Sequence, residues 1–306
     1  MLSIVIPVYN EGSNLHVVFD RLTAVIQKLN VYYEIIFVND GSHDNSLEVI
    51  KEISEGNSSV RYINLSRNFG HQIAVCAGLD FAKGEKVVIM DADGQDPPEI
   101  IEKLYLKSLE GFEVVYAKRK SRSGDGFLKK LTAKWFYRIL SRLTRIDIPL
   151  DTGDFRIIDK KVIEQLRRMP ERQKFLRGQI SWIGFRQSSV EFEREARLGG
   201  ETGYTIGKMM RLALDGITSF SNFPLRLATI SGFLFSVVGF FLILYTLYAR
   251  FYTQDYEPGW ASQMITIIFI GGIQLIGIGI IGEYISRISD NVRDRPLYIV
   301  DDTNIN

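Results

Sequence analysis

Asp91 and Asp93 stand one residue apart directly after the apolar run Val87-Val-Ile-Met90, in the segment Asp91-Ala-Asp-Gly-Gln-Asp-Pro-Pro-Glu99. Carboxylates crowded in this way repel one another, and a divalent cation between them removes that cost. Mg²⁺ and Mn²⁺ prefer oxygen ligands, and Mg²⁺ commonly takes one or two carboxylates while substrate phosphates complete its shell. The chemistry to expect is the metal-assisted handling of a diphosphate, with Mg²⁺ or Mn²⁺ as cofactor. Two further polar clusters end apolar runs in the same half of the chain: Pro7, Tyr9, Asn10 and Glu11, and then Asn39, Asp40, Gly41 and Ser42. Any one of these would serve as a helix cap, as Asp40-Gly-Ser-His-Asp44 before Leu47 does by its pattern. Capping does not account for all three. Gly-x-Gly-x-x-Gly and Walker-type loops are missing, which argues against dinucleotide or P-loop binding. The lone Cys76, within the apolar segment Ile73 to Leu79, reads as a buried helix residue rather than a nucleophile.

The elements that must position these groups follow from periodicity. Short β-rich runs at Ser3 to Val8, Glu34 to Asn39, Arg61 to Leu65, Lys86 to Met90 and Glu113 to Ala117 alternate with helical patterns. Such alternation predicts an α/β fold, Rossmann-like, with a mostly parallel sheet covered by helices on both faces. Ligands of open α/β sheets bind beyond the carboxyl ends of the strands, where all three clusters lie. The 306 residues carry 37 basic and 36 acidic side chains, a balance that argues against a nucleic-acid binder.

The C-terminal part has a different character. Ala228 to Ala249 and Trp260 to Gly282 are uncharged, and each exceeds the roughly 20 residues that cross about 30 Å of hydrocarbon. Both read as transmembrane helices. Arg211 and Arg226 precede them and Arg287, Arg293 and Arg295 follow, whereas the loop Arg250 to Gly259 holds one Arg beside Asp255 and Glu257. That asymmetry places both ends of the hairpin in the cytoplasm. Tyr245, Tyr248, Phe251, Tyr252, Tyr256 and Trp260 read as an aromatic belt at the far end. The N-terminus shows no secretory signal pattern, so the N-terminal domain is expected to be cytoplasmic. Phe127 to Arg145, basic and without an acidic residue, suits an anionic lipid surface, and Ile206 to Phe220 reads as an amphipathic helix along the bilayer plane. Packing on the domain would explain them equally simply. The organisation expected is 1–204 catalytic, 205–226 juxtamembrane, 227–283 transmembrane hairpin and 284–306 a cytoplasmic tail. Gly232, Ser236 and Gly239, with Gly272, Gly279 and Gly282, suit close helix contacts, either within the hairpin or in a homo-oligomer.

Taken together, Ile6-Pro-Val-Tyr-Asn-Glu11, Val38-Asn-Asp-Gly-Ser42 with Asp44, Leu65-Ser-Arg-Asn-Phe-Gly70, Asp91 to Glu99, Asp151-Thr-Gly-Asp-Phe-Arg156 and the two spans resemble glycosyltransferase family 2. More narrowly, the chain resembles the polyprenyl-phosphate hexosyltransferases, which include dolichyl-phosphate mannose synthase and the bacterial bactoprenyl glucosyltransferases. The resemblance implies a GT-A catalytic domain in which Pro7, Tyr9, Glu11 and Asp40 cradle the nucleoside, Glu11 on ribose and Asp40 on the base edge. It also makes Asp91, Asp93 and Gln95 the metal triad and Asp154 the family's general-base candidate. Two departures stand out. Gly200-Glu-Thr-Gly-Tyr204 has Gly203 where many relatives have Lys, and Gln165-Leu-Arg-Arg-Met169 lacks the Trp of processive synthases.

The reaction this implies is a single, inverting displacement in which a lipid phosphate oxygen attacks the anomeric carbon of a nucleotide sugar. UDP-glucose and a polyprenyl phosphate are the expected partners, in a bacterial plasma membrane. GDP-mannose, an aminoarabinose donor and a silent nucleotide-sugar-binding scaffold are the alternatives. A phosphate monoester has a second pKa near 6, so it is already largely a dianion, and Asp154 either takes a proton or positions the sugar and Arg156. Arg67 is the expected donor-site cation. Arg119, Arg122, Lys130 and Lys134 are the expected acceptor-phosphate cations, with Arg119 and Lys130 favoured. His71, after Gly70 at a helix start, would touch a phosphate or cap the turn.

Overall fold

The computed structural model describes residues 1–119, 152–193, 221, 223–248 and 259–305. These fall into two compact units, Met1–Lys208 with Arg295–Asn306, and Met209–Asp294. The predicted amphipathic segments 127–145 and 206–220, Gly203, Arg122, Lys130 and Lys134 lie outside the described residues.

In the first unit, β1 (Leu2–Val8), β2 (Tyr33–Asn39), β3 (Val60–Leu65), β4 (Lys86–Ile89), β5 (Val114–Arg119), β6 (Thr152–Asp159), β7 (Gln187–Phe192) and β8 (Val300–Thr303) form one sheet in the order β7-β5-β6-β4-β1-β2-β3-β8. Strands β4, β1, β2 and β3 run parallel, as the sequence pattern predicts. Strand β6 is inserted antiparallel between β4 and β5, and β8 pairs antiparallel with β3. The sheet is therefore mixed.

Alternate residues of the central strands enter two cores. Ile4, Ile6, Ile35 and Phe37 face α1 (Leu15–Lys28), α2 (Ser46–Gly56) and α4 (Ile100–Leu109). Val5, Ile36 and Val38 face α3 (His71–Phe81), α5 (Lys160–Arg167) and α6 (Leu176–Ile183). Helix α1 shows why such segments fold this way: its buried Leu15, Val18, Leu22, Val25 and Ile26 recur at helical spacing and leave the polar positions outside. Helix α3 lies hard against the sheet because Gly78 has no side chain; a Cβ there would come within 2.2 Å of Val5 Cγ1. Cys76 on this helix is half-buried, and desolvation pushes its thiol up to about 12, which keeps it inert.

The second unit contains α7 (Phe223–Tyr248) and α8 (Trp260–Val292). Within them Phe223–Leu242 and Phe269–Val292 are long and apolar enough to cross a membrane, with mean hydropathy 1.9 and 1.5. Phe235 and Phe269 meet edge to face at 5.8 Å. Among the described residues, a Cβ built on Gly239, Gly272, Gly279 or Gly282 would meet nothing within 4 Å.

Candidate active site

The loops after β1 and β2 are zipped into one cradle. Asn10 N–H donates to Ser42 Oγ, Glu11 N–H to Ser46 Oγ, Gly12 N–H to Asp44 Oδ2 and His43 N–H to Asn10 Oδ1, at 2.8 to 3.1 Å. Desolvation opposes the Asp44 charge, but donors from Ser46 and Gly12 outweigh it and hold its carboxyl below the usual range. Asp44 is thus a clamp between loops. On this frame Tyr9 is exposed, its ring edge-on to His43, and Glu11 accepts from Asn14 Nδ2 at 2.6 Å. Pro7 is buried within β1.

Asp40 is buried at the end of β2, and its two oxygens accept from the main-chain N–H groups of Phe69 and Gly70 at 2.7 and 3.0 Å. Burial raises its pKa against those bonds. A base-edge contact would therefore share a carboxylate that already shapes the loop between β3 and α3. Arg67 on that loop is exposed and lies 4.1 Å over the Phe69 ring. The loops meet at Gly41: with φ at +63°, its Cβ would stand 2.4 Å from the Arg67 carbonyl carbon and 2.5 Å from Asn68 N. Gly41→Ala is expected to cost about 1–3 kcal/mol through backbone strain, read from the thermal midpoint. An unchanged midpoint would mean the two loops do not need this close approach.

The antiparallel register of β6 on β4 builds the other half of the site. Arg156 pairs with Ile89, so Asp154, two residues earlier, falls opposite Asp91, two residues later. His71, at the start of α3, bridges them: its Nε2 is 3.2 Å from Asp154 Oδ2 and 3.6 Å from Asp91 Oδ1. Gln72 Nε2 donates to Asp154 Oδ2 at 3.0 Å, while Arg177 Nε and Arg156 Nη2 reach Asp154 Oδ1 at 3.0 and 3.3 Å. Four donors from three elements surround one carboxylate.

The electrostatics follow from this packing. Desolvation alone would raise the Asp154 pKa, but the Arg177 charge, the His71 bond and the Arg156 charge hold it well below the usual carboxylate range. For Asp91 desolvation wins, reinforced by Asp154 and Asp93, and its pKa is raised. Desolvation opposes the His71 cation, yet the bond to Asp154 and the field of Asp91 raise its pKa to about 9. Burial lowers the Arg156 pKa to about 10.

Asp91 Oδ1 is buried and makes no hydrogen bond, so it is an acceptor with capacity for a hard cation. Asp93, two residues on, accepts from Gln95 N–H at 3.0 Å in a turn made possible by Gly94 at φ +72°. Among the described residues no three His, Cys, Asp or Glu side chains can hold a metal by themselves.

The structure thus brings Asp91, Asp154 and Arg156 together at the carboxyl end of β4, with Asp93 and Gln95 on the turn beside them. Arg119 closes β5 at this same end of the sheet, although its side chain lies outside the described residues. Sequence reasoning missed Gln72 and Arg177, which reach Asp154 from helices and carry no motif. Strand β6, residues 152–159, was likewise not among the strands that periodicity predicts.

Residues 3–167 match Glycosyl transferase family 2, and residues 223–288 match the GtrB C-terminal hairpin. The chain belongs to glycosyltransferase family 2. It is 50% identical to an uncharacterized glycosyltransferase of Bacillus subtilis (strain 168) over 298 residues, 97% of this chain and 92% of that one. It is 39% identical to a bactoprenol glucosyl transferase of Shigella phage SfII, over 98% of this chain and 97% of that one. Among solved structures it is similar to glucosyl-3-phosphoglycerate synthase from Mycobacterium tuberculosis, at 18% identity and a TM-score of 0.49, covering 72% of this chain and 78% of that one. This family 2 glycosyltransferase has a GT-A-like mixed sheet and two apolar C-terminal helices.

Proposed function

We propose that the enzyme transfers a hexose, glucose from UDP-glucose, to a polyprenyl phosphate, with inversion, at the cytoplasmic face of a bacterial plasma membrane. The observation that carries this reading is the juxtaposition of Asp91 with Asp154 beside the cradle built on Asp40 and Asp44. Support for the acceptor comes from the full-length likeness to bactoprenol glucosyl transferases and from two helices apolar enough to cross a membrane. In this reading Tyr9, Glu11, Asp40 and Arg67 hold the nucleoside and diphosphate. Arg119, with Arg122, Lys130 and Lys134, holds the acceptor phosphate.

Asp91, Asp93 and Gln95 would hold Mg²⁺ or Mn²⁺, which when bound offsets charge developing on the leaving diphosphate. The residues themselves do the rest by placement. Asp154 is ionised but is a poor base, because its lone pairs already accept from Arg156, Arg177, Gln72 and His71. A phosphate acceptor with a second pKa near 6 needs no base at neutral pH. Asp154 then fixes the cations around the reacting centre, where preorganised charge lowers the barrier.

The test incubates purified protein with polyprenyl phosphate, Mn²⁺ or Mg²⁺, and radiolabelled UDP-glucose or GDP-mannose, followed by lipid extraction. Labelled lipid from UDP-glucose is the expected result. Label from GDP-mannose alone would make the enzyme a mannose synthase. Nucleotide-sugar binding without transfer from any donor would make it a scaffold.

A further inference from the structure

The C-terminal segment after α8 does more than cover a sheet edge. Ordinary edge protection needs only backbone pairing, which β8 supplies on β3. The pairing carries an irregularity, however: Asn64 pairs with Asp302 and Leu65 with Val300, so Asp301 is the extra residue of a bulge. Bulges re-aim side chains, and here Asp301 Oδ2 accepts from Asn64 Nδ2 at 3.1 Å. Buried Asn64 in turn accepts from Asn39 Nδ2 at 2.7 Å, and Asn39 Oδ1 accepts from the Ser42 N–H at 3.3 Å. Ser42 Oγ is one of the acceptors that tie the β1 loop to the β2 loop. A second connection ends at the same place: Ser66 N–H donates to Ile299 C=O, and the loop that Ser66 begins gives the Phe69 and Gly70 N–H groups to Asp40.

The orientation of each amide is dictated by its neighbours. Asp301, as a carboxylate, can only accept, so Asn64 must present its NH₂ to Asp301 and its oxygen to Asn39. Asn39 must then present its own oxygen to Ser42. One acidic side chain on the tail thereby sets the polarity of a buried chain of hydrogen bonds that ends on the Asp40–Ser42 loop. A tail serving only to block an edge would not require it.

We propose that strand β8 is a working part of the nucleotide-sugar site, with Asp301, Asn64 and Asn39 acting as positioning residues that fix the Asp40–Ser42 loop in its donor-binding shape. This rests on the reading that the loop holds the nucleotide. Its consequence is that the chain leaving the second apolar helix controls donor affinity rather than acceptor capture.

The experiment uses the full-length protein in detergent, with UDP-glucose and Mn²⁺ as the probe for binding and turnover. Asn64→Asp keeps the shape but sets a carboxylate against Asp301, and is expected to raise the donor KM about tenfold while kcat at saturating donor stays within about twofold. Asn64→Asp combined with Asp301→Asn restores a donor at 301 facing an acceptor at 64, and should return the KM to within about twofold of wild type. Asp301→Ala gives the same KM shift if Asn64→Asp folds poorly, whereas Asp301→Asn, which keeps an acceptor, does not. A purely structural role would lower the thermal midpoint without a KM-specific effect or reciprocal rescue. Equal impairment of Asn64→Asp and the double variant, or an unchanged donor KM in Asn64→Asp and Asp301→Ala, overturns the role of β8. Wild-type protein that neither binds nor turns over UDP-glucose overturns the functional reading together with it.

Discussion

Asp154→Ala is expected to lower lipid-linked sugar formation by about 10³-fold, in the range seen when a preorganised electrostatic group is removed. The loss arises because Asp154 is the common partner of Arg156, Arg177, Gln72 and His71. Without it, a 4%-exposed Arg156 keeps its charge beside Arg177 and both lose the carboxylate they share. Breaking a buried ion pair by removing one partner typically costs about 3–5 kcal/mol, so the thermal midpoint should fall as well. Asp154→Asn separates chemistry from stability, since it retains an acceptor for one guanidinium while placing an amide donor among groups that already donate. With the Asp154 pKa held well below the carboxylate range by Arg177, His71 and Arg156, its protonation contributes no limb to the rate between pH 5 and 9. At saturating Mn²⁺, where the ion has already displaced the His71 proton, wild type and Asp154→Asn should therefore show rate profiles of the same shape, displaced downwards for the variant. A rise with pH on the acid side that vanishes in Asp154→Asn would restore Asp154 as a proton acceptor.

How much of this was legible beforehand depends on burial. Strands β1 to β5 are continuous Val/Ile-rich runs because both faces are covered, and their ends were readable to within a residue or two. Strands β7 and β8, Gln187-Ser-Ser-Val-Glu-Phe192 and Val300-Asp-Asp-Thr303, sit at the two edges of the sheet, where one side needs no apolar residue, and their sequences do not announce a strand. Strand β6 hides for another reason: Thr152-Gly-Asp-Phe-Arg-Ile-Ile-Asp159 carries site residues in its first half and core residues only in Phe155, Ile157 and Ile158. The acidic half of the site was visible because aspartates after parallel strands converge at one end of the strands. Two of the donors to Asp154 were not, since Arg177 arrives from α6 and Gln72 from α3, by contacts 23 and 82 residues removed from Asp154 in sequence. A half-buried glutamine linking β6 to the Leu176 N–H leaves no trace in local pattern.

The position of His71 leads to the second large effect, a competition between its proton and the divalent ion for Asp91. In metal-free protein the imidazolium lies 3.6 Å from Asp91 Oδ1 and 3.2 Å from Asp154 Oδ2, and desolvation is outweighed so that its pKa reaches about 9. A folded-state pKa above the unfolded value of about 6.5 means that this contact stabilises the metal-free fold fully below pH 6.5 and loses that contribution as pH rises through 9. A dication on Asp91 repels the imidazolium, so binding should expel the His71 proton. Apparent Mn²⁺ affinity is then expected to tighten by up to about tenfold per pH unit between pH 6.5 and 8, with up to one proton released per ion. Calorimetric titration in buffers of different ionisation enthalpy measures both quantities. His71→Gln removes the titrating group and should leave the affinity nearly independent of pH over that interval. Wild-type affinity that is equally flat, with no proton released, would show that the ion binds away from Asp91 or leaves His71 charged.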